Sequence, residues 1–314
     1  MTAPVVVAVP DLVSPSYFPA IAAIALGYAA DEGLDARLEL VYPVTKAAQA
    51  LRDGDIDFLA GAAHAPMQAF PEWRGVKLLM ALSRNTYWYL VMRSDLDLAR
   101  GDLAALTNVR IGAAPGVDLA LRVMFQDAGV DLAEQGITIG PVPGTAGAGI
   151  SFGVTAAEAL AAGTIDGFWA NGMGAEVAVR QGVGTVIIDA RRGDGPAGLA
   201  GYTFPALAVT EETIAAKPKM VAAMSRAVIR AQQALRADPG QAREVGERLF
   251  PPLEASLIPE LIRRDAPFYD AEITGGAVAS LAAFGQRAGL TTGKGTTALS
   301  DVVAPGFDRV EALQ

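Results

Sequence analysis

The sequence has no cysteine, which excludes disulfides, thiolate metal ligands and a thiol nucleophile. It has one histidine, His64, and one histidine makes no metal site alone. Lys and Arg number 25 against 34 Asp and Glu, a formal net charge of −9, and no basic run occurs. Nucleic acids and anionic membranes need clustered cations, so neither is an expected partner. Long apolar runs are missing as well. PAIAAIALGYAA, residues 19–30, is interrupted well short of the roughly 20 residues that a membrane helix requires. No signal-peptide pattern precedes the strand-like VVVAV of residues 5–9, so the chain reads either as cytoplasmic, with Met1 its native start, or as a trimmed mature protein.

What is present is a 52% apolar composition, with 34 glycines, over 314 residues. A single core stops growing at about 250–300 residues, so two lobes are expected. The opening reads as strand (5–9), loop PDLVSPSYFP, helix carrying Ile21, Ile24, Ala25 and Tyr28 and ended by Gly33, then strand (38–41). KLLMAL (77–82) and YWYLVM (87–92) are two more strands on either side of SRNT. The pattern restarts with strand NVRIGAA (108–114), turn PGVD, a helix ended by Gly129, strand GITIG (136–140) and strand GVGTVIID (182–189). RRGDGPAGLAG (191–201) reads as loop, YTFPALAVT as strand, and the text from Glu211 onward as helices that must pack on an existing lobe. Alternating strands and helices predict α/β lobes with mostly parallel sheets covered on both faces.

One phrase is written twice. AAQALRDGDIDFLAGAAHA (47–65) and AAEALAAGTIDGFWANGMG (156–174) align so that Leu51, Gly54, Ile56 and Asp57 coincide with Leu160, Gly163, Ile165 and Asp166. The leucine anchors a short helix, the glycine ends it in the left-handed conformation, and Ile-Asp leads into a strand. The chain then leaves the sheet at Gly61 to His64 and at Trp169 to Gly172, with Pro66 suited to a first helical turn. Ligands of open α/β sheets bind beyond such strand ends, beside helix N-termini, and two facing lobes would make a cleft. A duplicated structural unit without a ligand is the plain alternative.

The opening SPSYFPAIAAIALGYAADEGLDARLE, the doubled phrase, NVRIGAAPGVDLALRVMFQDAGVD (108–131) and TFPALAVTEETIAAKP (203–218) together carry a family resemblance. The chain resembles the type II periplasmic binding proteins, in the group that holds nitrate-, sulfonate- and taurine-binding proteins of ABC importers and thiamine-pyrimidine synthases. The resemblance implies an α/β, two-lobed fold, each lobe a mostly parallel sheet flanked by helices, joined by a double crossover hinge. Lobe 1 is then expected at 1–85 plus 202–314, with the helical tail, and lobe 2 at 86–201. It implies capture of a small organic anion or polar heterocycle between the lobes, with hinge closure, for an ABC permease. A monomer is expected, extracytoplasmic if a leader was removed. Ligand contacts implied are Ser14, Ser16 and Tyr17, Ala63 and His64, Arg84 and Asn85, Gly116, Val117 and Asp118, and Trp169, Asn171 and Tyr202. Arg84 suits a carboxylate or sulfonate, because a guanidinium grips such a group bidentately; a surface arginine is the plain alternative.

Chemistry finds less support. In the thiamine-pyrimidine synthases a lysine holds pyridoxal phosphate, and Gly61 stands in its place here, so no cofactor is expected. A sulfinate-cleaving enzyme of this fold uses a cysteine that this chain lacks. GISFG (149–153) matches the nucleophile-elbow pattern, yet no strand immediately precedes it and no histidine follows. Gly147, Gly149 and Gly153 miss dinucleotide-loop spacing, and TTGKGTT (291–297) misses that of a phosphate loop. APGVD (114–118) reads either as an anion-holding helix start, which Asp118 would oppose, or as a simple cap. In NTYWYL (85–90), alternation sends Tyr87 and Tyr89 to one face and Trp88 to the other, one set core and the other cleft-lining. A lyase or decarboxylase built around His64, or a ligand sensor, remains the alternative to a transport protein.

Overall fold

A computed structural model describes residues 4–143, 151–292 and 297–307. The chain divides into two units, residues 1–84 with 203–314, and residues 85–202.

The first unit begins with β1 (Val5–Val9), α1 (Phe18–Ala25) and α2 (Tyr28–Asp31). The helix expected to run unbroken to Gly33 is split, because Gly27 adopts φ +85° and starts a new turn. β2 (Ala36–Leu40), α3 (Val44–Asp53), β3 (Phe58–Ala62), α4 (Ala65–Ala69) and β4 (Val76–Ala81) follow. In the second unit come β5 (Tyr89–Arg93), β6 (Arg110–Ala113), α5 (Asp118–Asp127), β7 (Thr138–Gly140), α6 (Phe152–Ala161), β8 (Gly167–Ala170), α7 (Gly172–Arg180) and β9 (Gly184–Asp189). The chain then returns to the first unit as β10 (Pro205–Thr210), α8 (Glu211–Ala216) and α9 (Pro218–Ala237). α10 (Ala242–Leu249), α11 (Pro252–Asp265), α12 (Gly275–Arg287) and α13 (Leu299–Val302) complete it.

Both sheets have the same plan. Their orders are β2-β1-β3-β10-β4 and β7-β6-β8-β5-β9. Neighbours of β1 and of β6 are parallel, whereas β10 and β5, fourth in their sheets, run antiparallel to both flanking strands. These two are the strands that follow a crossing between units. Each therefore starts at the edge of its sheet where the other four strands end.

The doubled phrase shapes the opposite edge. Gly54 and Gly163 take φ +81° and +69° just after α3 and α6, and Leu51, Leu160, Ile56 and Ile165 are buried beneath. Asp57 donates its backbone N–H to Val6 O (3.0 Å), and its carboxylate accepts the Val6 N–H (2.9 Å). Asp166 makes the same pair with Arg110, 2.8 Å in both directions. One carboxylate thus fixes the register of adjacent parallel strands in each sheet. Lys217 lies 3.1 Å from Asp57, while Arg93 and Arg110 lie 3.2 and 3.1 Å from Asp166.

Burial opposes ionisation of Asp166. Hydrogen bonds from the Arg110 side chain and backbone, the Arg110 charge and a hydrogen bond from Arg93 more than offset it, so the carboxyl sits below its ordinary 3.8. A depressed folded value means that the stability Asp166 contributes is full above the ordinary value and is lost as pH falls through the folded one. Asp57→Ala and Asp166→Ala are each expected to lower unfolding free energy by about 1–3 kcal/mol in urea titrations. Asp166→Asn will also flatten the fall in stability on acidification below pH 3.8; an unchanged acid limb would show that Asp166 is not linked to folding.

Candidate functional site

At the carboxyl edge of the first sheet, β1 delivers the loop Pro10–Tyr17, β3 delivers Ala63 and His64, β4 delivers Ser83, and β10 begins beside them. Ser14, Ser16 and Tyr17 are buried, and the loop is braced from within. Ser14 Oγ accepts the Ser16 N–H (3.3 Å), and Asp11 Oδ1 accepts the Val13 N–H (3.0 Å). Tyr269, from the helical tail, donates its hydroxyl to Pro15 O at 2.6 Å. Ala63 N–H donates to Phe204 O (2.8 Å), which follows from the antiparallel pairing of Ala62 with Pro205.

His64 stands just before α4 with Pro66 in the first helical turn and is 1% exposed. Its Nδ1 lies 3.1 Å from Thr203 Oγ1, and its ring meets Phe284 of α12 edge-on at 5.5 Å. α12 approaches α4 closely here, since a Cβ on Gly285 would come within 2.3 Å of Met67 Cε. Ser83 is fully buried, and the Arg84 N–H binds Phe268 O at 2.8 Å. The Arg84 side chain turns outward, 55% exposed, near Asp270 (3.7 Å) and Pro267 O (3.4 Å). The edge is thus lined by hydroxyls and one imidazole, with its arginine held on the tail.

At the corresponding edge of the second sheet, Gly116, Val117 and Asp118 form the turn into α5. Gly116 has φ +86°, and its N–H is taken by Asp118 Oδ1 (3.0 Å), while Asp118 Oδ2 accepts from Arg122 (3.1 Å). The chain's own carboxylate caps that N–H. Asn171 is buried as the cap of α7, its Oδ1 accepting the Met173 N–H at 3.0 Å. Trp169 is fully buried on β8, 5.9 Å from the Trp88 ring, and its indole N–H has no hydrogen-bond partner among the described residues. Tyr87, Trp88 and Tyr89 are all buried, the first two ahead of β5. Asn85, at φ +67°, donates to Arg191 O (3.2 Å), and the Tyr202 hydroxyl donates to Asp127 at the end of α5.

Residues not singled out from sequence stand at the same edges. Thr203 and Ser83 are fully buried, and Arg191 is 3% exposed with its guanidinium 6.0 Å from the Tyr87 ring centre. Thr203 adjoins a recognisable strand, which was a usable signal. Arg191 lies in a stretch whose composition reads as solvated loop, so nothing local marks it as buried. Of the elbow pattern, Ser151 caps α6, its Oγ accepting the Val154 N–H (3.4 Å), and Gly153 lies against Gly174, where a Cβ would meet Gly153 O at 2.4 Å. Gly147 and Gly149, and residues 293–296 of TTGKGTT, lie outside the described residues. Among the described residues, no His, Asp and Glu group is arranged to hold a metal, and no helix is long and apolar enough to cross a membrane.

Thr203→Val, which keeps shape and removes the hydrogen bond to His64, is expected to cost about 0.5–1.5 kcal/mol in thermal or urea unfolding. Gly174→Ala, which forces α6 and α7 apart, is expected to cost about 1–3 kcal/mol. A Gly174→Ala protein as stable as the parent would contradict the close helix contact.

Solved structures share this fold. A Bordetella bronchiseptica RB50 protein is 21% identical with TM-score 0.74, over 99% of this chain and 97% of that one. A periplasmic sulfonate-binding protein of a sulfonate ABC transporter from Methylobacillus flagellatus KT is 17% identical with TM-score 0.66, over 99% and 94%. The periplasmic nitrate-binding protein of Synechocystis PCC 6803 is 15% identical with TM-score 0.72, over 98% and 87%. The architecture is therefore that of the type II periplasmic binding proteins, as the sequence resemblance implied. No curated protein matches the sequence. The NMT1-like family model matches residues 14–250, and the chain belongs to that family.

Proposed function

We propose that this protein is an extracytoplasmic solute-binding protein that captures a small organic anion or a polar heterocycle and delivers it to the permease of an ABC importer. The observation that carries this reading is the set of buried polar side chains at the carboxyl edge of the first sheet: Ser14, Ser16, His64, Ser83 and Thr203. Hydroxyl and imidazole groups bind an oxyanion or a ring heteroatom by directed hydrogen bonds, and in a site shielded from water such bonds confer selectivity. Nitrate and sulfonate, bound by proteins of the same fold, are ligands of this acceptor-rich kind. Within the second unit, the indole N–H of Trp169 is a buried donor without a hydrogen-bond partner among the described residues. The two crossings, between Arg84 and Asn85 and between Tyr202 and Thr203, are the hinge about which ligand binding shifts the population toward a closed form.

A thermal-unfolding panel of nitrate, taurine, alkyl and aryl sulfonates, aromatic carboxylates and thiamine pyrimidines tests the reading. A ligand at about 100 times its dissociation constant adds about 2.7 kcal/mol, a shift of several degrees, and is to be recovered chemically intact. Recovery of an altered ligand would replace transport by catalysis. For the ligand so found, Ser83→Ala and His64→Ala are each expected to weaken binding about tenfold, one hydrogen bond's worth. The radius of gyration in solution scattering should fall on binding. If Ser83→Ala, His64→Ala, Arg84→Ala and Trp169→Ala all leave affinity unchanged, the site lies elsewhere.

A further inference from the structure

Among the described residues, the large apolar side chains left exposed are Val179, Leu249, Leu253 and Leu299. Leu249 and Leu253, 41% and 47% exposed, flank the turn from α10 to α11 in the first unit. Beside them lies an open groove of about 360 Å³, walled by Arg243, Glu247 and Phe250 on one side and Pro252, Ala255 and Ser256 on the other. The helices meet closely beneath it, because Gly246 brings α10 to within 3.1 Å of Ala255 Cα, measured from an added Cβ. A groove whose lining residues Phe250 and Pro252 adjoin two exposed leucines in the chain is a surface that association would cover.

The charges indicate what covers it. Arg243 and Glu247 are one helical turn apart on the same wall, both are exposed, and neither is ion-paired among the described residues. Opposite charges placed so are self-complementary: with α10 antiparallel to a second α10, each Arg243 meets the Glu247 of the other copy, and the pair forms twice about one twofold axis. We propose that two copies of this chain associate through the α10–α11 face, in place of the monomer that the family resemblance implied. A different protein partner would need no such internal matching of charge.

The test is sedimentation velocity on the full chain from micromolar to submillimolar concentration, with circular dichroism to confirm folding of each exposed-residue variant. The parent should show a concentration-dependent dimer, and Leu253→Asp or Leu249→Asp should abolish it. Arg243→Glu sets four carboxylates together and should weaken the dimer at least about tenfold. Arg243→Glu combined with Glu247→Arg restores complementarity and should restore the dimer. A parent that stays monomeric throughout, leucine variants that dimerise normally, or a double reversal as weak as the single one would each overturn the proposal.

Discussion

In each unit one carboxylate binds the first residues of a neighbouring parallel strand, and much of the structure depends on that contact. Parallel strands have no hairpin to set their register, so something else must. Asp57 does this for β3 against β1 and Asp166 for β8 against β6, by giving a backbone N–H to one residue and accepting that residue's N–H in return. A slip of one residue would turn every core side chain of the strand to the wrong face. With register set at the amino edge, the far ends of β3 and β8 are placed too, and they carry His64 and Asn171.

The second constraint is the direction of the fourth strand in each sheet. β10 and β5 run against their neighbours, so the residues before them, Thr203 and Thr86 to Trp88, stand among the carboxyl ends of the parallel strands. In the first unit this brings the Thr203 hydroxyl to His64, two residues 139 positions apart. The helical tail adds to the same edge, with Tyr269 holding the Pro10–Tyr17 loop and Phe284 backing the imidazole. A tail that reads in sequence as helices needing somewhere to pack is in fact a wall of the candidate site.

The two edges differ in chemistry. The first presents hydroxyls and one imidazole, with the Asp11 carboxylate turned onto the Val13 N–H, while in the second Asp118 caps Gly116 and Asn171 caps α7. The second unit offers instead a wholly buried indole N–H on Trp169, beside Trp88. Hydroxyl and indole donors suit an oxyanion or a heterocycle whose charge is dispersed over several acceptors.

The sequence by itself determined the parts whose causes are local. Alternating apolar runs, glycines at helix ends and the doubled Leu-Gly-Ile-Asp phrase made strands, helices and a repeated α/β plan readable, because backbone preference and periodicity act within a few residues. The place of His64 after β3 was readable for the same reason. Only the tertiary structure decided that Arg84 turns onto the tail, that Arg191 is buried, and that Thr203 and Tyr269 join the loop after β1. It also decided that the last glycine of an apparent catalytic motif is a helix contact. These outcomes depend on which distant segments meet, and on the desolvation and hydrogen bonding that follow, which no window of sequence contains.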